Sequence, residues 1–207
     1  AWQLRGETTY ALDAGIYVAG AAIQWLKNQM GLIRSAADTE AMALRTQDNG
    51  GVYFVPAFSG LAAPHWDQYA RGTMVGITGG TTREQIVRAT LESIAYQVSD
   101  NLKVMRSDSG IPIERIRVDG GMVCNRFLMQ FQSDILGIPV EVPAVFDTTA
   151  VGAARLAALG HGDFPDPYGV AGGQMKKCYE PHMSEDQRQY LLSQWERAVQ
   201  RAMHWAQ

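Results

Sequence analysis

Two adjacent glycines between an apolar segment and an amphipathic one are the clearest chemical signal in the sequence. The apolar residues 116–118 lead into Asp119, Gly120 and Gly121, and Asn125 follows. Because glycine lacks Cβ, the main chain here can approach a ribose or phosphate closely. We expect Asn125 in the first turn of the next helix, where free N–H groups favour an anion and the amide can donate and accept. The pattern indicates a nucleotide-binding turn or a plain strand-to-helix turn.

Gly20 and Gln24 form a second candidate site. They lie four residues apart and therefore share one face of a helix. A base or sugar could rest on the bare backbone of Gly20 while the Gln24 amide bonds its edge. The alternative, which local sequence favours, is a packing glycine beside a solvated glutamine.

Other candidates are weaker. Residues 76–82 (GITGGTT) resemble a phosphate cradle, but the two threonines explain the segment better as a connector that ends in a helix N-cap. Asp119 would suit metal binding or activation of a hydroxyl, and hydrogen bonds to its own turn explain it equally well. No P-loop, GxGxxG or GxSxG motif is present. The histidines are scattered without acidic, serine or cysteine partners in the sequence, which gives no support to a hydrolase triad: His65, His161, His182 and His204.

Composition narrows the class of protein. The 207 residues are 46% hydrophobic with a net charge of -3 and no basic run, so neither nucleic acid nor an anionic membrane is an expected partner. Cys124 and Cys178 form no CxxC, which argues against a disulfide framework or zinc site and fits a reducing cytoplasm. No stretch has the length of a membrane span. The absence of an initiator Met suggests a piece of a longer polypeptide.

The elements that must position these residues can be predicted from periodicity. An opening hairpin is expected from residues 1–4 and 8–12, with a strand edge that lacks its partner. Apolar residues every four positions predict a helix over 18–30 that ends at Gly31. A weaker helix at 39–44 precedes an apolar run at 52–55, which reads as a central strand. Residues 58–71 form a long loop that is either functional or packed as a unit of its own.

The second half alternates strand and helix. Overlapping capping boxes at Thr81 and Thr82 start the strongest helix. Beyond the glycine turn, a stripe of apolar residues at every fourth position faces the core, and residues 140–143 form a strand. Asp147 caps a helix whose small residues allow close packing on the sheet. Residues 160–181 read as loop. Ser184 caps a last helix with one apolar face, which is formed by Leu191, Trp195, Ala198, Ala202 and Trp205. The pattern predicts one α/β domain over residues 1–207 with a mixed sheet and flanking helices.

The chain resembles the C-terminal half of the FGGY carbohydrate kinases. Residues 72–77 (GTMVGI), followed by 85–92 (QIVRATLE), look like the C-terminal signature of that family. Further similarity covers nearly the whole chain: 10–15 (YALDAG), 19–26 (AGAAIQWL), 63–67 (APHWD), 70–72 (ARG) and 118–137. Within the family, segments 64–72 and 88–97 are more similar to the glycerol kinases than to the pentulose or hexulose kinases.

The resemblance implies an actin-like ATPase (ribonuclease H-like) architecture of two lobes with ATP or ADP between them. It also implies adenine-nucleotide contacts at Gly20, Gln24, Gly121 and Asn125, with Gly120 beside them. Glycerol and most Mg²⁺ contacts would belong to the N-terminal lobe. The Asp general base for transfer of the γ-phosphoryl group to glycerol would lie near the junction between the lobes, before this chain begins. We therefore expect no catalytic residue within 1–207, no activity of this chain alone, and a cytoplasmic homo-oligomer at full length.

Two departures from the family pattern qualify these expectations. The Gly-Thr-rich hairpin that opens the family's C-terminal lobe and contacts the phosphates does not precede Ala1. Arg126 stands where the family often carries a second amide. Two alternatives stay open: another FGGY sugar kinase, and an actin-like nucleotide-binding module that acts in assembly or regulation rather than phosphotransfer.

Overall fold

The fold was obtained as a computed structural model, which describes residues 1–4, 6–145, 147–163 and 175–206. Helices and strands alternate through most of the chain, and one short 3-10 turn interrupts them. Their bounds, in chain order, are β1 Trp2–Leu4, β2 Glu7–Thr9, α1 Gly20–Asn28, α2 Asp38–Ala43, β3 Tyr53–Val55, β4 Thr73–Val75, α3 Arg83–Ser109, β5 Ile116–Arg117, the 3-10 turn Gly121–Cys124, α4 Arg126–Leu136, β6 Val140–Pro143, α5 Thr148–His161, β7 Met175–Tyr179 and α6 Glu185–Ala202.

The strands form three separate ladders. β1 and β2 make the predicted opening hairpin, and β3 pairs antiparallel with β4. β5, β6 and β7 form the mixed sheet, with β5 parallel to β6 and β7 antiparallel to β6. Within the described residues β3 pairs with β4 alone, so its prediction as a central strand is wrong. Its three residues are nevertheless fully buried, because α3 and α6 cover it.

Helix α3 is the scaffold on which the other elements pack. It begins where the sequence predicts, since Thr82 accepts from the N–H of Gln85 while the Gln85 side chain accepts from the N–H of Thr82. It ends at Gly110, whose left-handed φ of 65° lets the last turn close. It contacts α2, α4 and β3, so this one helix fixes the position of α4, the helix that follows the glycine turn.

A buried ion pair locks α3 to the turn that precedes β3. Arg88 Nε lies 2.7 Å from Glu92 Oε1, and Asn49 Nδ2 donates to Glu92 Oε2 over 2.8 Å. Arg88 also donates to the carbonyl of Thr46. Burial raises the pKa of the Glu92 carboxyl, and the contacts from Arg88 and Asn49 oppose that rise. The network therefore satisfies a charge that would otherwise be costly inside the core.

The long loop at 58–71 is packed rather than open. The carboxylate of Asp67 accepts from the N–H groups of Tyr69 and Ala70, at 2.8 Å and 3.2 Å, and from the N–H of His204 at 2.7 Å. Burial raises the pKa of Asp67, but these backbone donors and nearby His204 leave it lowered overall. One side chain thus organises the loop and fastens the chain beyond α6 to it.

Three expectations for the C-terminal part need correction. Residues 160–181 are not all loop, because Met175–Tyr179 form β7 along β6. Asp147 caps α5 as predicted, yet no residue of α5 is buried, so close packing of its small residues on the sheet is wrong for the described chain. On the last apolar face Trp195 is buried as predicted, whereas Trp205 lies beyond α6 and is exposed.

Candidate functional site

The glycine turn differs from the predicted geometry in one detail. Gly120 has φ 84° and ψ 178°, and Gly121 then begins the 3-10 turn Gly121–Cys124 before α4 starts. Asn125 is the N-cap of α4 and not a residue of its first turn. The apolar stripe that sequence predicted is intact, since it is buried from Val123 to Ile135. The turn is therefore anchored by the buried residues that follow it, while its two glycines are exposed.

The N-terminus of α4 is already occupied by side chains. Asn125 Oδ1 accepts from the N–H of Leu128 over 3.0 Å, and Glu40 Oε2 accepts from the N–H of Arg126 over 2.6 Å. Glu40 also pairs with the Arg126 guanidinium. Burial raises the pKa of Glu40, but the hydrogen bonds and charge of Arg126 leave it below its ordinary value of 4.5. Two N–H groups that the sequence pattern treats as free at this helix end are therefore already bonded to side chains of the protein.

The Asn125 amide is held at both ends. Its Nδ2 donates to Thr39 Oγ1 over 3.1 Å while its Oδ1 caps α4. Thr39 in turn donates to the carbonyl of Ala36 over 2.6 Å. An amide has two N–H groups and two lone pairs, so Asn125 keeps one donor and one acceptor for a ligand.

Gly20 lies beside the glycine turn. It is the first residue of α1, and a Cβ placed on it would stand 3.8 Å from Met122 Sδ in the 3-10 turn. Ala19 and Met122 pack against the same core. Gln24, one helical turn further, is exposed and makes no hydrogen bond within the described chain. The structure thus brings the start of α1 and the glycine turn together and leaves the Gln24 amide available.

The three glycines are glycine for different reasons. Glycine is required at position 120, because its φ of 84° is disfavoured for residues that have a Cβ. At Gly121 φ is ordinary and a Cβ would meet no atom within 4 Å, and at Gly20 it would meet only an ordinary contact. The fold itself therefore explains Gly120 but does not require glycine at Gly20 or Gly121. The main chain at these two glycines is therefore open to a ligand, since no contact within the protein requires glycine there.

A groove of about 330 Å³ adjoins the turn and was not predicted from the sequence. It lies at the carboxyl ends of the parallel strands β5 and β6, which is where α/β sheets commonly bind ligands. Asp119 lines it and makes no hydrogen bond within the described chain, so the explanation of Asp119 as a turn-bonding residue is not supported. The groove also carries two arginines and an apolar wall: Arg117, Val118, Val145, Val151, Arg155 and Met175.

The rejected candidates behave as connectors in the structure. In residues 76–82, the N–H of Thr78 donates to Thr81 Oγ1 and the N–H of Gly80 donates to Thr78 Oγ1, so the segment's polar groups bond to one another.

Among the described residues no group of three His, Cys, Asp or Glu side chains could hold a metal ion. No helix in the described part of the chain is both long and apolar enough to span a membrane.

The expectation that histidines lack acidic neighbours is wrong. His65 Nε2 lies 3.6 Å from Asp100 Oδ2, and His161 Nδ1 lies 3.1 Å from Asp163 Oδ1. Neither pair has a serine or cysteine hydrogen-bonded to its histidine within the described ranges. A nucleophilic triad is therefore not formed at either pair.

Comparison with known proteins identifies the class of fold. The model of the FGGY family of carbohydrate kinases, C-terminal domain, matches residues 3–161. Glycerol kinase 2 of Thermotoga maritima is 54% identical over 206 residues, and the glycerol kinase of Nitratidesulfovibrio vulgaris is 51% identical over 208. These alignments take in 99% and 100% of this chain but 42% of each relative. The chain thus spans less than half the length of these relatives.

Solved structures agree. Plasmodium falciparum glycerol kinase with ADP superposes with a TM-score of 0.81 at 35% identity, covering 88% of this chain and 37% of that one. A xylulose kinase from Brucella ovis gives a TM-score of 0.72 at 27% identity, covering 89% and 37%. These matches confirm the predicted α/β lobe of actin-like, ribonuclease H-like type. The chain belongs to the FGGY family of carbohydrate kinases.

Proposed function

We propose that residues 1–207 form the nucleotide-holding C-terminal lobe of a glycerol kinase, which transfers the γ-phosphoryl group of ATP to glycerol and gives glycerol 3-phosphate. The observation that carries the proposal is that Gly20 lies against the 3-10 turn that Gly121 begins, through Met122, while no contact within the protein requires glycine at either position. The similarity to glycerol kinases over nearly the whole chain supports the choice of substrate, and the neighbour with bound ADP supports the nucleotide.

The contacts divide by chemistry. The backbone at Gly20, Gly120 and Gly121 would receive the flat base and ribose, while the amides of Gln24 and Asn125 would hydrogen-bond their polar edges. At the start of α4 the N–H groups of Arg126 and Leu128 are already bonded to Glu40 and Asn125, so they would not be available to the phosphates. The base end of the nucleotide therefore rests on this lobe and its phosphates extend beyond it.

This lobe would position the nucleotide and would take no part in making or breaking bonds. Phosphoryl transfer depends on alignment and on neutralising charge, and amides and glycines can supply the first. Following the resemblance to the FGGY kinases, we assign Mg²⁺, which would neutralise phosphate charge, mainly to the N-terminal lobe, and the general base to residues outside 1–207. We place the full-length protein in the cytoplasm as a homo-oligomer, in keeping with two exposed free cysteines.

A substrate panel tests the proposal. The longest polypeptide that carries this chain is assayed for ADP release with glycerol, xylulose and gluconate, and residues 1–207 are assayed beside it. We expect turnover of glycerol well above that of either sugar substrate, and none by residues 1–207. Preference for xylulose or gluconate would indicate another FGGY sugar kinase. ATP binding without turnover of any acceptor would indicate a nucleotide-binding module.

A further inference from the structure

We infer that Thr39 is a positioning residue that sets the orientation of the Asn125 amide toward the nucleotide. The inference rests on the proposed function, because it gives Asn125 a ligand to face. Thr39 lies in α2, 86 residues from Asn125 in the sequence, and only 1% of its surface is exposed.

The hydroxyl of Thr39 has a fixed polarity. It has one proton, which it donates to the carbonyl of Ala36 over 2.6 Å. Toward Asn125, 3.1 Å away, the hydroxyl can therefore only accept. The nitrogen of the amide must face Thr39, and its oxygen must face α4, where the N–H of Leu128 donates to it.

The two constraints reinforce each other. A flipped amide would set its oxygen against the Thr39 lone pairs and its N–H groups against the N–H of Leu128, and both contacts would be repulsive. The remaining donor and acceptor of Asn125 therefore occupy defined positions. A bound group needs the complementary pair, such as the amino group and ring nitrogen on one edge of adenine, or a ribose hydroxyl.

The neighbouring residue completes the hold on this segment. Glu40 accepts from both the N–H and the guanidinium of Arg126, so two consecutive residues of α2 fix Asn125 and Arg126. Helix α2 is itself packed on α3 and α4. The orientation of the amide is thus tied to the core rather than left to an exposed loop.

Kinetics of the longest polypeptide that carries this chain test the inference. Thr39→Val keeps the shape of the side chain but loses the hydroxyl, and Thr39→Ser restores it. We expect Thr39→Val to raise the Michaelis constant for ATP about fivefold to tenfold, which corresponds to loss of roughly one oriented hydrogen bond. The Michaelis constant for glycerol should not change, and Thr39→Ser should behave like the unmodified protein.

Two further variants separate positioning from a loss of stability. Thr90→Val removes another buried hydroxyl, whose Oγ1 donates to the Ile86 carbonyl in α3, and should leave the ATP constant unchanged. In an Asn125→Ala background, Thr39→Val should still lower the melting temperature, because the Ala36 carbonyl loses its hydroxyl donor, but it should add nothing to the ATP constant.

The possible results distinguish the inference from the function on which it rests. If Asn125→Ala leaves the ATP constant unchanged, the proposed nucleotide contact itself fails. If Asn125→Ala raises it while Thr39→Val has no effect, or an effect that simply adds to that of Asn125→Ala, the contact stands and the positioning role of Thr39 is overturned.

Discussion

Gly120 and Gly121 are adjacent, yet the structure constrains the residue type at the first position and not at the second. Gly120 adopts a backbone conformation that disfavours any residue with Cβ, whereas Gly121 does not and has open space where Cβ would lie. Sequence alone presents them as one motif. Only the structure separates the glycine that makes the turn from the glycine that leaves room beside it.

The acidic residue Glu141 predicts how stability depends on pH. Its carboxylate accepts from Arg117 Nε and Arg115 Nη1, each at 2.9 Å, and these arginines hold its pKa below the ordinary value of 4.5. A lowered pKa stabilises the fold above the unfolded value, and the contribution disappears as pH falls through the folded value. Glu141→Gln should therefore lower the urea midpoint at pH 7, and the difference from the unmodified chain should shrink below pH 4.5.

Urea titrations at several pH values check this expectation. Glu114→Gln is the control, because Glu114 is exposed and makes no ion pair within the described chain, and it should leave the midpoint unchanged. A deficit of Glu141→Gln that stays constant down to pH 3 would contradict the assigned pairing.

Some residues of the candidate site could be identified from the sequence, and others could not. The glycines and amides stand out by type and spacing, and a family resemblance joined them. Thr39 and Glu40 could not be found that way, because they meet Asn125 and Arg126 only after the chain has folded α2 against α4. The occupied start of α4 was missed for the same reason.

Among the elements, α3 carries the strongest prediction about stability. Arg88→Met removes the partner of Glu92, whose side chain is 3% exposed, and leaves a buried carboxylate unpaired. Breaking such a pair costs about 3–5 kcal/mol of unfolding free energy. Arg83→Met on the same helix removes an exposed pair with Glu84 and should cost less than about 1 kcal/mol.

Equilibrium unfolding in urea measures both changes. The double variant Arg88→Met with Glu92→Gln removes both charges and should recover part of the loss. Equal small effects of Arg88→Met and Arg83→Met would show that the buried pair does not stabilise α3.

The elements that sequence predicts well are those with local signals. The capping box at Thr82 and Gln85 starts α3, and Asp147 and Ser184 cap α5 and α6 as expected. Strand β7 was missed, because it is defined by pairing with residues of β6 that are 32 or more positions earlier in the chain. The burial of α5 was overestimated, because small residues permit close packing but do not require it.

At the scale of the whole molecule, α1, α2 and α4 all pack on α3, while the start of α1 lies against the 3-10 turn at Met122 and α2 contacts α4. The candidate site therefore depends on tertiary packing of segments that begin at Gly20, Asp38 and Gly120.

The central claim is that the backbone at Gly121 lies against an adenine nucleotide. Its most direct test is the Michaelis constant for ATP of Gly121→Val, measured beside that for glycerol in the longest polypeptide that carries this chain. Gly79→Val is the matched control, because a Cβ at Gly79 also meets no atom within 4 Å. We predict that Gly121→Val raises the ATP constant about tenfold or more, or roughly 1.4 kcal/mol of lost binding, with the glycerol constant and melting temperature unchanged. An unchanged ATP constant, or an equal rise in Gly79→Val, would show that the backbone at Gly121 does not contact the nucleotide.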